Sequence, residues 1–285
     1  MRIIIGEHAG FCFGVKRADE TAFACAQEKL NAVTLGPLIH NPQEVERLRR
    51  AGIPSVESVD EVGDGQTMII RSHGVAPSVY EQARARGLSV IDATCPHVAR
   101  IHDLVARYSE QGDTVIIVGE ADHPEVRGIA GWAKGPVLMI PDAETAASIP
   151  VPDRALVIAQ TTLREESFQR VLEVLEPRIR EMTVRKTICG ATEHRQEEAR
   201  QLARTADVMV IVGGKNSSNT TKLAETCRSL CRRSYLAEVP EDLRGEMFRN
   251  AVTVGVTAGA STPQWLLDQV VDRIRSLDEG VDSES

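Results

Sequence analysis

The amino-acid sequence predicts an α/β fold made of three similar lobes, each with its own parallel sheet. Two observations lead there. Short runs rich in Val and Ile alternate with amphipathic helical stretches along the whole chain, as in parallel strands joined by crossover helices. A set of polar landmarks also recurs three times at matched intervals, which marks an internal repeat.

Taken in order, the strand-like runs include Ile3–Ile5, Met68–Ile70, Val115–Val118, Leu156–Ile158, Val208–Val212 and Val252–Val256. The first is too short for a secretory signal and an acid follows it, so it reads as a buried strand. Ser78–Arg86, Glu166–Val174 and Glu197–Thr205 carry helical spacing of apolar and polar residues. No Ser/Gly-rich linker divides the chain, and the tail over 278–285 reads as loose and solvated.

The repeat is built on Cys12, Cys95 and Cys189. Each follows a predicted strand (Ile3–Ile5, Ser89–Asp92, Val184–Ile188) and precedes a helix that carries a base: Lys16 and Arg17, Arg100, or Arg195. His40 lies 28 residues after Cys12, His123 lies 28 after Cys95, and Ser217 lies 28 after Cys189. Each of these sits in a polar loop behind a strand and a glycine (Gly36, Gly119, Gly213). A third landmark follows another strand: Arg71–Gly74, Gln160–Thr162 and Thr257–Ser261. The predicted lobes are therefore 13–95, 96–188 and 189–277, the last completed by the strand within 1–12. Related packing of three such lobes brings the cysteines to a pseudo-threefold axis.

Composition narrows the function classes. Lys and Arg number 33 against 41 Asp and Glu, a net charge of −8, which argues against a nucleic-acid coat. No apolar run approaches the roughly 20 residues that span a bilayer, so the expectation is a cytoplasmic protein with no membrane partner. In that compartment six cysteines point to metal, catalysis or burial and not to disulfides.

Three repeated thiols at strand-to-helix turns suit an iron–sulfur cluster, because iron–sulfur chemistry takes soft thiolates and helix N-termini favour the ionised form. Cys25, Cys227 and Cys231 lie outside the repeat and read as buried. A four-iron cluster with three cysteine ligands leaves one iron open to a substrate oxygen. The other landmarks then surround that opening. His40, His73 and His123 supply imidazole donors, and the loop Lys215–Thr221 supplies hydroxyl, amide and backbone donors at a helix start, suited to phosphate oxygens. Glu125 is the lone carboxylate of these loops and the candidate general acid, with Thr161 or Thr162 as a hydroxyl relay.

These segments resemble the 4-hydroxy-3-methylbut-2-enyl diphosphate reductase family. The likeness is carried by Gly10–Val15, Ile39–Asn41, Ser72–Val75, Ala93–Pro96, His123–Val126, Gln160–Leu163, Ile188–Thr192 with Arg195 and Gln196, Lys215–Asn219, and Gly255–Ser261. It implies a trefoil of three parallel-sheet α/β lobes around a central [4Fe–4S] cluster held by Cys12, Cys95 and Cys189. It further implies an allylic diphosphate held by His40, His73, His123, Ser217, Ser218, Asn219 and Ser261. Thr161 is expected near the substrate hydroxyl and Glu125 at the head of proton delivery. The implied reaction is a two-electron reductive dehydroxylation to isopentenyl and dimethylallyl diphosphate, fed by ferredoxin or flavodoxin. Gly190, after Cys189, stands where the family pattern leads one to expect a bulkier residue, and Glu193 and His194 add ionisable groups nearby. The alternative is a paralogous [4Fe–4S] hydro-lyase or reductase acting on a related small anion.

Overall fold

The computed structural model describes residues 1–281. The chain opens with β1 (Arg2–Ile5) and α1 (Phe13–Gln27). Next come β2 (Ala32–Leu35), α2 (Pro42–Arg50), β3 (Ser55–Val56), β4 (Thr67–Ile70), α3 (Pro77–Ala85) and β5 (Ser89–Asp92). A second series holds α4 (Pro96–Glu110), β6 (Thr114–Val118), α5 (Pro124–Ala130), β7 (Val137–Ile140), α6 (Ala143–Ser148), β8 (Arg154–Ala159), α7 (Glu165–Leu175) and β9 (Glu181–Arg185). The last holds α8 (Gly190–Thr205), β10 (Val208–Val212), α9 (Ser218–Leu230), β11 (Ser234–Ala237), β12 (Thr253–Ala258) and α10 (Gln264–Val281).

These strands form three four-stranded parallel sheets, as the alternation predicts: β3-β2-β4-β5, β7-β6-β8-β9 and β11-β10-β12-β1. Every sheet runs second, first, third, fourth. In the third sheet the fourth place is taken by β1, which pairs with β12 from Arg2↔Thr253 to Ile5↔Val256.

The described residues form two compact units. One comprises residues 1–15, 39–44 and 190 onward and holds the third sheet; the other comprises 16–38 and 45–189 and holds the first two.

Central strands are continuous apolar runs because helices cover both of their faces. In the second sheet, Ile116, Val118, Val157 and Ala159 meet Phe168, Val171 and Leu175 of α7. The alternate residues Val115, Ile117, Leu156 and Ile158 meet Ile101 and Val105 of α4 and Val126 and Ile129 of α5. In the third sheet, Val208, Val210 and Val212 face Leu266, Val270 and Ile274 of α10, while Met209 and Ile211 face α8 and α9. Phe168 is fully buried, so its truncation to Ala costs about 3–5 kcal/mol. Helices α2 to α5 each start at a proline, whose fixed φ suits the first helical position.

Several local expectations shift. Val184–Ile188 is strand only to Arg185; beyond it the Thr187 hydroxyl folds back on the Ala159 backbone. Helix α8 starts at Gly190, well before Glu197. Helix α10 continues to Val281, across the first part of the tail expected to be loose, and residues 282–285 lie outside the described ones.

Candidate active site

In each sheet the first and third strands are neighbours, and in the first two sheets their onward connections leave in opposite directions. The loops after those two strands therefore flank a crevice at the carboxyl ends, where open α/β sheets bind ligands. The predicted residues stand in those loops. His40, His123 and Ser217 follow β2, β6 and β10; His73, Thr161 and Ser261 follow β4, β8 and β12.

The cysteines follow the fourth strands, and one hydrogen bond recurs in all three lobes. Cys12 N–H donates to Ala260 O at 3.1 Å, Cys95 N–H to Ser72 O at 2.9 Å, and Cys189 N–H to Thr161 O at 3.0 Å. Each acceptor is the second residue beyond the third strand of its sheet. Each cysteine also directly precedes the first residue of a helix (Phe13, Pro96, Gly190). These three thiols are half-buried, whereas Cys25, Cys227 and Cys231 are buried. Burial pushes the Cys227 thiol up to about 12, with the neighbouring Cys231 adding to the shift, and raises Cys25 as well. Accessible soft donors at helix N-termini fit iron; the other thiols are packing residues.

In the two-sheet unit, His123 caps α5. Its Nδ1 accepts the Glu125 N–H at 3.1 Å, so the neutral ring carries its proton on Nε2. The His73 ring meets the His123 ring edge-on, with centroids 5.6 Å apart. The turn behind His73 depends on Gly74, at φ +70°: a Cβ there would stand 2.5 Å from His102. His102 stacks on Trp132 at 5.0 Å, and the indole donates to Val75 O at 2.9 Å, so the two rings form a floor under the His73 turn. Burial pushes His102 down to about 4, against the opposing pull of Asp92 and Asp103.

Glu125 is buried, and both of its oxygens are engaged by Thr161. The Thr161 N–H donates at 2.7 Å and its hydroxyl at 2.6 Å. The bond spans the crevice between β6 and β8. Gln160 spans it as well, accepting from Glu120 N–H at 3.0 Å while its amide donates to Thr162 Oγ1 at 3.1 Å.

In the other unit the corresponding crevice, between β10 and β12, is lined by hydroxyls. Ser261 donates to His40 O at 3.1 Å and lies 3.4 Å from the Ser217 hydroxyl. Ser217 caps α9 by accepting from Thr220 N–H, and Ser218 accepts from the Lys222 ammonium at 2.7 Å. Asn219 differs from these. It is 4% exposed, and neither its Oδ1 nor its Nδ2 has a hydrogen-bond partner. A buried amide left unpaired costs about 1–3 kcal/mol.

A family model described as LytB protein matches residues 3–275. The chain belongs to the LytB family. Among relatives of this LytB chain, the 4-hydroxy-3-methylbut-2-enyl diphosphate reductase of Geobacter sulfurreducens is 46% identical over 278 residues, covering 98% of both chains. The reductase of that name from Caldanaerobacter subterraneus is 40% identical, over 97% of this chain and 98% of its own. A solved structure of the (E)-4-hydroxy-3-methyl-but-2-enyl diphosphate reductase, the terminal enzyme of the non-mevalonate pathway, is 43% identical with a TM-score of 0.72, over 97% of this chain and 100% of its own. The Plasmodium falciparum E-1-hydroxy-2-methyl-but-2-enyl-4-diphosphate reductase superposes on the LytB chain with a TM-score of 0.88 at 27% identity, over 95% of this chain and 87% of its own.

Other contacts of the LytB chain had no signal in residue spacing. Trp265 Nε1 donates to the buried Glu44 carboxylate at 2.6 Å, and Asn41 Oδ1 caps Glu44 N–H at 3.0 Å, fastening the loop that carries His40. Gly190 has open space around its missing Cβ, so the small residue there answers no packing demand. The His194 ring lies 5.5 Å from that of His8.

Proposed function

We infer that this chain is a 4-hydroxy-3-methylbut-2-enyl diphosphate reductase, in which Cys12, Cys95 and Cys189 hold a [4Fe–4S] cluster with one iron open. The observation that carries the cluster assignment is the repeated cysteine N–H tether, which gives three thiols the same backbone setting in three sheets. When bound, such a cluster supplies electrons singly and a Lewis-acidic iron where no cysteine is attached.

The chain's own residues do the rest. Asn219, Ser217, Ser218 and Ser261, with the Nε2–H of His123 and the rings of His40 and His73, hold the diphosphate; hydroxyl and amide donors suit its oxygens. Thr161 keeps the Glu125 carboxyl aimed from β6 towards β8 and relays a proton from it to the departing hydroxyl. Dehydroxylation takes in two electrons and two protons and releases one water, leaving isopentenyl or dimethylallyl diphosphate. Glu125 is the buried carboxyl in these loops, and a general acid of this kind is worth about 10²–10⁴ in rate. The electrons come from ferredoxin or flavodoxin. No helix among the described residues is long and apolar enough to cross a membrane.

The test is anaerobic turnover of 4-hydroxy-3-methylbut-2-enyl diphosphate by reconstituted protein, with products analysed in the presence and absence of dithionite and a redox dye. Both diphosphate products should form only with reductant. Equal consumption without electrons would replace the reductase by a redox-neutral hydro-lyase.

A further inference from the structure

Three side chains link the cysteine loops in a cycle. Arg17, on the helix that follows Cys12, donates from Nη1 to Thr94 O at 3.0 Å, on the residue before Cys95. His97, on the helix that follows Cys95, bonds Thr187 O at 3.0 Å, two residues before Cys189. A carbonyl only accepts, so His97 donates from Nε2. Arg195, on the helix that follows Cys189, donates to Gly10 O at 2.8 Å and to His8 O at 3.0 Å, ahead of Cys12. The cycle thus runs Cys12, Cys95, Cys189 and back to Cys12.

The last link is reinforced. Glu198, one turn beyond Arg195 on α8, accepts Glu7 N–H at 2.5 Å and His8 N–H at 3.0 Å. Gly6 makes that approach possible, since a Cβ there would stand 2.6 Å from the Glu198 carboxylate. Arg195 is itself buried and steadied on Ala191 O at 3.1 Å.

We propose that Arg17, His97 and Arg195 are positioning residues that set the three cluster thiolates, each through the backbone of the next cysteine loop and not through the cysteine nearest in sequence. The proposal rests on the cluster assignment above. Loops held this way present thiolates already in place, so cluster binding does not bear the entropy of ordering them. Breaking one link frees one corner.

The cycle makes a crossed prediction. In apoprotein prepared anaerobically, each thiol is labelled with iodoacetamide and its rate followed by peptide mass spectrometry. Arg195→Gln should speed labelling of Cys12, Arg17→Gln that of Cys95, and His97→Gln that of Cys189, each by about tenfold or more, the loss expected for a bond to a charged or buried donor. Arg195→Lys should fall between wild type and Arg195→Gln. In reconstituted holoprotein the same variants should lose iron to a chelator faster than wild type. Cys25 and Cys227 serve as internal controls, because their labelling reports global unfolding.

Faster labelling of the cysteine nearest in sequence overturns the proposal, as does a uniform rise that includes Cys25 and Cys227, or no change at all. Failure of the cluster assignment reads differently: wild-type protein would take up no iron on reconstitution, while the labelling pattern would still report on the bonds.

Discussion

Thr161 holds Glu125 through two bonds at once, with its backbone N–H on one carboxylate oxygen and its hydroxyl on the other. The pair fixes the direction of the Glu125 carboxyl, the proposed general acid. Only the hydroxyl bond depends on the Thr161 side chain. Glu125→Gln should therefore keep cluster and diphosphate binding and lose about 10²–10⁴ in kcat. Thr161→Val should lose part of that, and Thr161→Ser should stay close to wild type. Anaerobic steady-state kinetics give the values; near-normal turnover by Glu125→Gln removes it as the acid.

The six thiols separate by burial, and their variants should separate likewise. Replacing Cys12, Cys95 or Cys189 by Ser should abolish the iron content of anaerobically reconstituted protein. Cys25→Ala and Cys227→Ala should keep it, because those thiols are buried and held protonated. Iron and sulfide assays decide, and full iron in any of the first three variants breaks the ligand set.

Asn219 is buried with both side-chain polar atoms unpartnered, and its proposed role in holding the diphosphate has a signature in two measurements. Asn219→Ala should raise KM for the diphosphate about tenfold or more, the equivalent of one lost bond to a charged group. The same change should leave the thermal midpoint of the apoprotein unchanged or higher. A lower midpoint with unaltered KM would make Asn219 a structural residue.

His102 is buried neutral, pushed down to about 4 in the folded protein from an ordinary value of 6.5. Between those values the unfolded chain binds a proton that the folded chain does not. Stability therefore falls as pH drops from 6.5 towards 4, by at most about 1.4 kcal/mol per pH unit from this group. Urea unfolding at pH 7 and pH 5 should show a larger loss in wild type than in His102→Gln. Equal losses would mean that His102 does not govern this window.

Sequence spacing exposed the parts of this protein that chemistry holds in place. The 28-residue offsets were visible because His40, His123 and Ser217 stand at equivalent turns after β2, β6 and β10, and the core strands β6, β8 and β10 were visible because both of their faces are buried. Edge strands β3, β7 and β11 were not singled out: β3 is only two residues long, β11 mixes Ser and Tyr into its run, and β7, though wholly apolar, is a four-residue run with no landmark residue after it. Glu125 and Thr161 were each legible as candidates, but their mutual bond was not, because it joins loops 36 residues apart. The links from Arg17, His97 and Arg195 left even less trace. Their acceptors are backbone carbonyls, which every residue type provides.

The place of β1 in the third sheet has a consequence for biogenesis. The ribosome makes β1 long before its partner β12, so this sheet stays one strand short while the intervening chain is synthesised. The first two sheets draw only on neighbouring stretches of chain and can form as they emerge. Cys12, tethered to Ala260, is held in its native setting only once β12 and the turn after it are available. The native setting of Cys12 is thus completed only after β12 has been made, whereas Cys95 and Cys189 find their tethers, on Ser72 and Thr161, in chain made before them.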